Sequence, residues 1–163
     1  MFNIGDMVFY GGHGVCEIED ITEMTISKET KKYYRLKSHV QPKLQLFHPV
    51  VTKQPKISKM MTKEAAEHVL EIFKQEPTEW VARSIDRTKA HKKVLETKDQ
   101  AQIAQMLNTI LRKEAEMKLE GKKLYAQDQE IVRQVLAILC DEISISLDKT
   151  KQEVMDLIQA NMQ

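Results

Sequence analysis

Three places in the 163-residue sequence bring together side chains of types that do chemistry. The first is Gly11-Gly12-His13-Gly14, with Cys16 two positions further on. It is glycine-rich but lacks the lysine and serine or threonine of a phosphate-binding loop, and it joins strands instead of opening a helix. His13 and Cys16 are zinc-ligand types, yet a site needs a second pair, and only His39 and His48 stand nearby. The plainer reading is a tight turn whose glycines take positive backbone angles. The second place is Cys140, which Ile138, Leu139 and Ile143 surround; this is the setting of a buried small apolar residue and not of a reactive thiolate. The third is Trp80, the only tryptophan, followed by Arg83, Arg87, Lys89, Lys92 and Lys93. An indole beside cations suits nucleic acid, the ring stacking on or wedging beside a base step while the cations hold phosphates. The same residues would also serve as a packing anchor and a solvated helix surface, and both readings stand at this level. Arg83 and Arg87, four apart, are expected to share a helix face with Trp80.

Charge supports a localised patch and not a coat. Lys plus Arg is 25 and Asp plus Glu is 24, a formal net charge of +1. Between Arg83 and Lys98 the basic residues Arg83, Arg87, Lys89, Lys92, Lys93 and Lys98 face only Asp86 and Glu96, whereas beyond Leu124 acidic residues outnumber basic ones. No nucleophile elbow, Walker loop or carboxylate pair is present, so no enzyme, cofactor or metal is expected. No run of about 18 apolar residues and no signal-peptide pattern occurs, which makes a cytoplasmic protein without a membrane span the expectation. Cys16 and Cys140 lie in segments of different character and are expected to be buried thiols.

The elements that must position these residues change period near residue 60. Met7-Val8-Phe9-Tyr10, Val15-Cys16-Glu17-Ile18, Tyr33-Tyr34-Arg35-Leu36 and Leu44-Gln45-Leu46-Phe47 alternate as strands do, with Gly and Pro between them. Strands this short and close predict a small barrel or strongly bent sheet. Beyond Met60, Thr62 caps a helix carrying Ala66, Leu70 and Phe73 on one face, and Thr78 caps a second running from Glu79 towards Leu95. Gln102 to Leu119, Asp128 to Leu147 and Lys151 to Met162 carry further helical stripes. The expected fold class is α+β: a barrel domain over 1–58, then an all-α bundle of four to five helices over 62–163.

The opening Gly5-Asp6-Met7-Val8-Phe9-Tyr10, then His13-Gly14-Val15, Tyr33-Tyr34-Arg35-Leu36 and His48-Pro49-Val50, resembles the CarD family and the polymerase-interacting domain that family shares with the transcription-repair coupling factor. The second half is similar to a clostridial and bacillar branch through Trp80, Asp86-Arg87, Lys92-Lys93-Val94-Leu95, Gly121-Lys122-Lys123-Leu124 and Asp128. The resemblance implies a bacterial transcription regulator without catalytic activity. Its Tudor-like barrel would bind the RNA polymerase β subunit through Met24, Thr25, Lys43, Leu46, Phe47 and Pro49. Its helical domain would contact promoter DNA at the upstream edge of the bubble through Trp80, Arg83, Arg87, Lys89, Lys92 and Lys93, and modulate open-complex stability. Arginines of some relatives correspond to Met24 and Phe47 here, so an apolar or backbone-driven contact is expected, as in strand addition. The alternative is a protein-interaction adaptor that keeps the barrel and has no direct DNA role.

Overall fold

Alternating polar and apolar side chains organise the first of the two units, Met1–Met61 and Thr62–Gln163, in a computed structural model that describes residues 1–163. Strands β1 (Met7–Tyr10), β2 (Gly14–Ile26), β3 (Glu29–Ser38), β4 (Gln45–Pro49) and β5 (Ile57–Lys59) form one antiparallel sheet in the order β4-β3-β2-β1-β5. Along β3, Tyr34, Leu36 and Ser38 are buried and their neighbours are not. Tyr34 and Leu36 join Val8, Cys16, Ile18 and Ile57 in the core, with Tyr10, Ile21 and Leu46 packed against it.

Both turns of this ribbon are left-handed, but only one announces itself in sequence. In the β1–β2 turn Gly12 and Gly14 take φ of 84° and 77°, and the His13 N–H donates to the Tyr10 carbonyl at 2.9 Å. In the β2–β3 turn the residues are Ser27 and Lys28, at φ of 52° and 67°. Such a two-residue primed turn ordinarily recruits Asn-Gly. Lacking that signal, β2 and β3 run to 13 and 10 residues, well past the short strands expected.

The barrel expected from strand spacing is not closed by pairing, since no ladder joins β4 to β5. A buried side chain, His48 of β4, spans the gap. Its Nε2 accepts the Lys56 N–H at 3.0 Å, which places the ring proton on Nδ1, and Nδ1–H donates to the Pro49 carbonyl at 2.8 Å. Tyr10 of β1 packs edge-on against the same ring.

The second unit comprises α1 (Lys63–Ile72), α2 (Ser84–Glu96), α3 (Gln100–Leu119), α4 (Ala126–Ile131), α5 (Ala137–Ser146) and α6 (Lys151–Asn161). A π-helical turn, Val132–Leu136, joins α4 to α5, making five helical rods. Thr62, Asp99 and Thr150 cap α1, α3 and α6 by accepting backbone N–H groups. The α1 carboxyl end is satisfied from elsewhere in the unit. The Asn108 amide donates to Gln75 O at 3.0 Å, Arg112 to Phe73 O at 2.8 Å and Asn161 to Leu70 O at 2.8 Å. The Phe73 and Gln75 carbonyls have no backbone donor, and Leu70 O also accepts the Phe73 N–H at 3.3 Å, so polar side chains of α3 and α6 complete the end of α1. No helix is long and apolar enough to cross a membrane. Replacing Ser27 by Asn together with Lys28 by Gly removes two left-handed penalties and is expected to stabilise the first unit by about 1 kcal/mol or more. A higher urea midpoint at unchanged slope is the check.

Candidate functional site

The basic run lies on α2, whose two faces do different work. At 100° per residue Arg87, Ala90, His91 and Val94 point one way, and Ile85, Lys89 and Lys92 the other. Arg87 is 2% exposed and His91 9%, whereas Arg83, Lys89, Lys92 and Lys93 are exposed and have no ion-pair partner. Ile85, 59% exposed, lies on the same outward face as Lys89 and Lys92.

Arg87 is therefore not a phosphate ligand, contrary to expectation. Its Nε donates to Asp128 Oδ1 at 3.0 Å and its Nη2 to Asp128 Oδ2 at 2.7 Å, a bidentate pair with both partners buried. Its Nη1 donates to the carbonyls of Val81 and Ala82, at 2.9 and 3.2 Å. Those two bonds fix where the helix begins. Carbonyls 81 and 82 bind the guanidinium and not backbone N–H groups one turn on, so α2 starts at Ser84 and not at Glu79. Trp80 and Arg83 precede the helix and do not share a helix face with Arg87. Thr78 does not cap α2 either. Its N–H donates to Thr109 Oγ1 at 3.0 Å and its hydroxyl meets the same oxygen at 3.0 Å, tying the segment to α3.

Trp80 is half-buried between the two readings left open by sequence. Its ring packs with Met106, Ile110 and Leu124 while part of it stays exposed. The Arg87 guanidinium carbon lies 4.5 Å from the indole centroid and 5.3 Å from that of Tyr125, and Lys113 Nζ lies 5.7 Å from the indole. A cavity of about 290 Å³ opens beside Trp80, lined by Val81, His91, Val94, Met106 and Thr109 among others. His91 Nδ1 stands 3.8 Å from Asp128 Oδ1, too far for a hydrogen bond, and is buried without another partner. Burial lowers the His91 pKa, against the pull of Asp128 and with help from the Arg87 charge. Sequence spacing did not single out Asp128, Tyr125 and Lys113 as parts of this site, because they come from α4, its N-terminal flank and α3.

In the first unit the residues expected to meet polymerase divide between two sheet faces. Cross-strand pairing puts Phe47 opposite Arg35, Pro49 opposite Tyr33 and Met24 opposite Lys31, all on the face away from the core. Phe47 is 41% exposed there. Leu46, opposite Leu36, lies on the other face, where it is partly buried against the core. Thr25 meets Thr30 hydroxyl to hydroxyl at 2.7 Å near the hairpin tip, and Lys43 is exposed ahead of β4. The β4 edge is unpaired. The Val50 N–H donates to Lys32 O at 3.0 Å, so by antiparallel alternation Gln45, Phe47 and Pro49 turn their backbone groups outward. Pro49 thus costs the β3 ladder nothing, and the outward donors are the N–H groups of Gln45 and Phe47.

The other candidates dissolve into structure. His13 is exposed in its turn while Cys16 is buried on the core face, and no three His, Cys, Asp or Glu side chains are grouped to hold a metal ion. Burial pushes the Cys140 thiol up to about 11, and its Sγ sits 3.3 Å from Met155 Sδ.

An open-edged antiparallel sheet followed by a separate helical unit defines a two-module α+β protein. Residues 2–61 match the family model of the CarD-like/TRCF RID domain, and the N-terminal unit belongs to that family. This makes it an RNA polymerase-interacting domain of a transcription-related protein. No curated protein matches the chain.

Truncating Asp128 to Ala strands a buried guanidinium and is expected to cost about 3–5 kcal/mol, whereas replacing Arg87 and Asp128 together by Met and Leu recovers most of it. Denaturant titration of both variants is the measurement. Because His91 titrates lower in the folded chain than the ordinary value near 6.5, the unfolded chain holds more protons just below that pH. Stability is then complete above about pH 6.5 and declines as the pH falls through the interval below it. Thermal melts from pH 7.5 to 5 are expected to show this decline, and His91→Gln to flatten it.

Proposed function

We propose that the chain is a non-catalytic transcription regulator that binds the RNA polymerase β subunit with its first unit. Its helical unit contacts promoter DNA at the upstream edge of the bubble and modulates open-complex stability. The observation that carries this reading is the CarD-like/TRCF RID match over a sheet whose β4 edge is open. An extended segment of the β subunit adds to Gln45–Phe47 by main-chain hydrogen bonds, while Phe47, Met24 and Pro49 offer the apolar side-chain contacts. Strand addition needs no arginine, which accommodates Met24 and Phe47 where relatives use charge.

For the helical unit, four exposed cations without carboxylate partners, Arg83, Lys89, Lys92 and Lys93, favour phosphate contact. The accessible part of Trp80 is the wedge, and the Arg87 pair holds its segment in place. Each surface alone binds weakly, and affinity comes from joining them on one promoter complex.

Two measurements check this. The isolated β-subunit lobe is expected to retain the chain at low salt, and Phe47→Asp to abolish retention; no retention of the wild type would remove the polymerase contact. Trp80→Ala is expected to shorten the open-promoter lifetime several-fold while cooperative unfolding persists. The adaptor reading, favoured by Met24 and Phe47 on the outer sheet face and by the acidic C-terminal segment, requires instead that a promoter footprint made with polymerase be the same with and without the chain.

A further inference from the structure

Tyr125 is the wrong residue for its place if only stability is considered. It stands at the N-cap of α4 with extended backbone and makes no capping hydrogen bond, where Ser, Thr, Asp or Asn would satisfy a backbone donor. Burial does not compensate, because the residue is 56% exposed and its hydroxyl has no partner. What orders the ring is the Arg87 guanidinium, 5.3 Å from its centroid. The same guanidinium lies 4.5 Å from the Trp80 centroid, so the two ring centroids are within about 10 Å of each other. Arg87 is neutralised by Asp128 and inaccessible, which makes it a fixed support for both rings. Cations flank the pair, with Lys113 over the indole and Lys123 exposed two residues before the phenol.

We propose that Tyr125 is a second aromatic contact to unpaired DNA, acting beside Trp80 from the shared Arg87 support. The proposal rests on the reading of the helical unit as a DNA-contacting surface. Two rings with cations around them suit an unpaired strand better than a closed duplex, because every base offers a π-face once unstacked. The free phenol O–H can in addition donate to a phosphate oxygen.

Fluorescence anisotropy of the intact chain on a labelled forked oligonucleotide, and on a fully paired duplex of equal length, tests it at low salt. Tyr125→Ser restores a capping residue and is expected to leave the melting temperature unchanged or higher. It is expected to weaken fork binding at least about fivefold, the lower end for one lost base–aromatic stack, with little change on the duplex. Tyr125→Phe is expected to stay within about twofold of wild type on the fork. Should Tyr125→Ser melt early, Tyr125→Leu keeps an apolar cover over Arg87 without the π-face, and its fork affinity then decides. If Trp80→Ala and the double variant Lys89→Ala, Lys92→Ala weaken fork binding while Tyr125→Ser and Tyr125→Leu do not, Tyr125 is excluded and the DNA surface stands. If the wild type binds neither oligonucleotide, both readings fall.

Discussion

The buried pair between Arg87 and Asp128 governs the helical unit. Removing two charges from water costs several kcal/mol for each, and the geometry offsets this by two charge-assisted bonds to the carboxylate and two more to backbone carbonyls. The bonds to Val81 and Ala82 extend the pair's reach beyond itself. They hold the non-helical residues 77–83 across the guanidinium, delay the start of α2 and present Trp80 with one part packed and another exposed. Thr78 anchors the other end of that segment on Thr109. A side chain pinned at both flanks of its segment is positioned with little remaining freedom, which is what a stacking or wedging contact requires.

This arrangement separates two roles within one basic run. Arg87 neutralises a carboxylate and supports two aromatic rings, whereas Arg83, Lys89, Lys92 and Lys93 keep their charge exposed. A net charge near zero therefore hides a locally unbalanced helix face. In the first unit a comparable economy operates at β4. Its outward-facing proline lacks the N–H that would lengthen an open edge, so the unpaired donors are confined to Gln45 and Phe47. His48 ties the other side of the strand to Lys56 and limits how far the sheet can uncurl.

Sequence by itself determined the change of period near residue 60, the strands at Met7-Val8-Phe9-Tyr10 and Tyr33-Tyr34-Arg35-Leu36, the glycine turn after Tyr10, and the capping of α1 by Thr62. Each depends on neighbours a few positions apart, and local patterning reports such neighbours directly. The true lengths of β2 and β3 were not legible, because a turn built from Ser27 and Lys28 gains its left-handed backbone from the ribbon it closes and not from its own residue types. The role of Arg87 was not legible either. A basic residue at helical spacing from other basic residues reads as surface until a carboxylate 41 positions away is brought against it. The helix start, the half-burial of Trp80 and the placing of Tyr125 beside it follow from that long-range pair, so only the tertiary structure decided them.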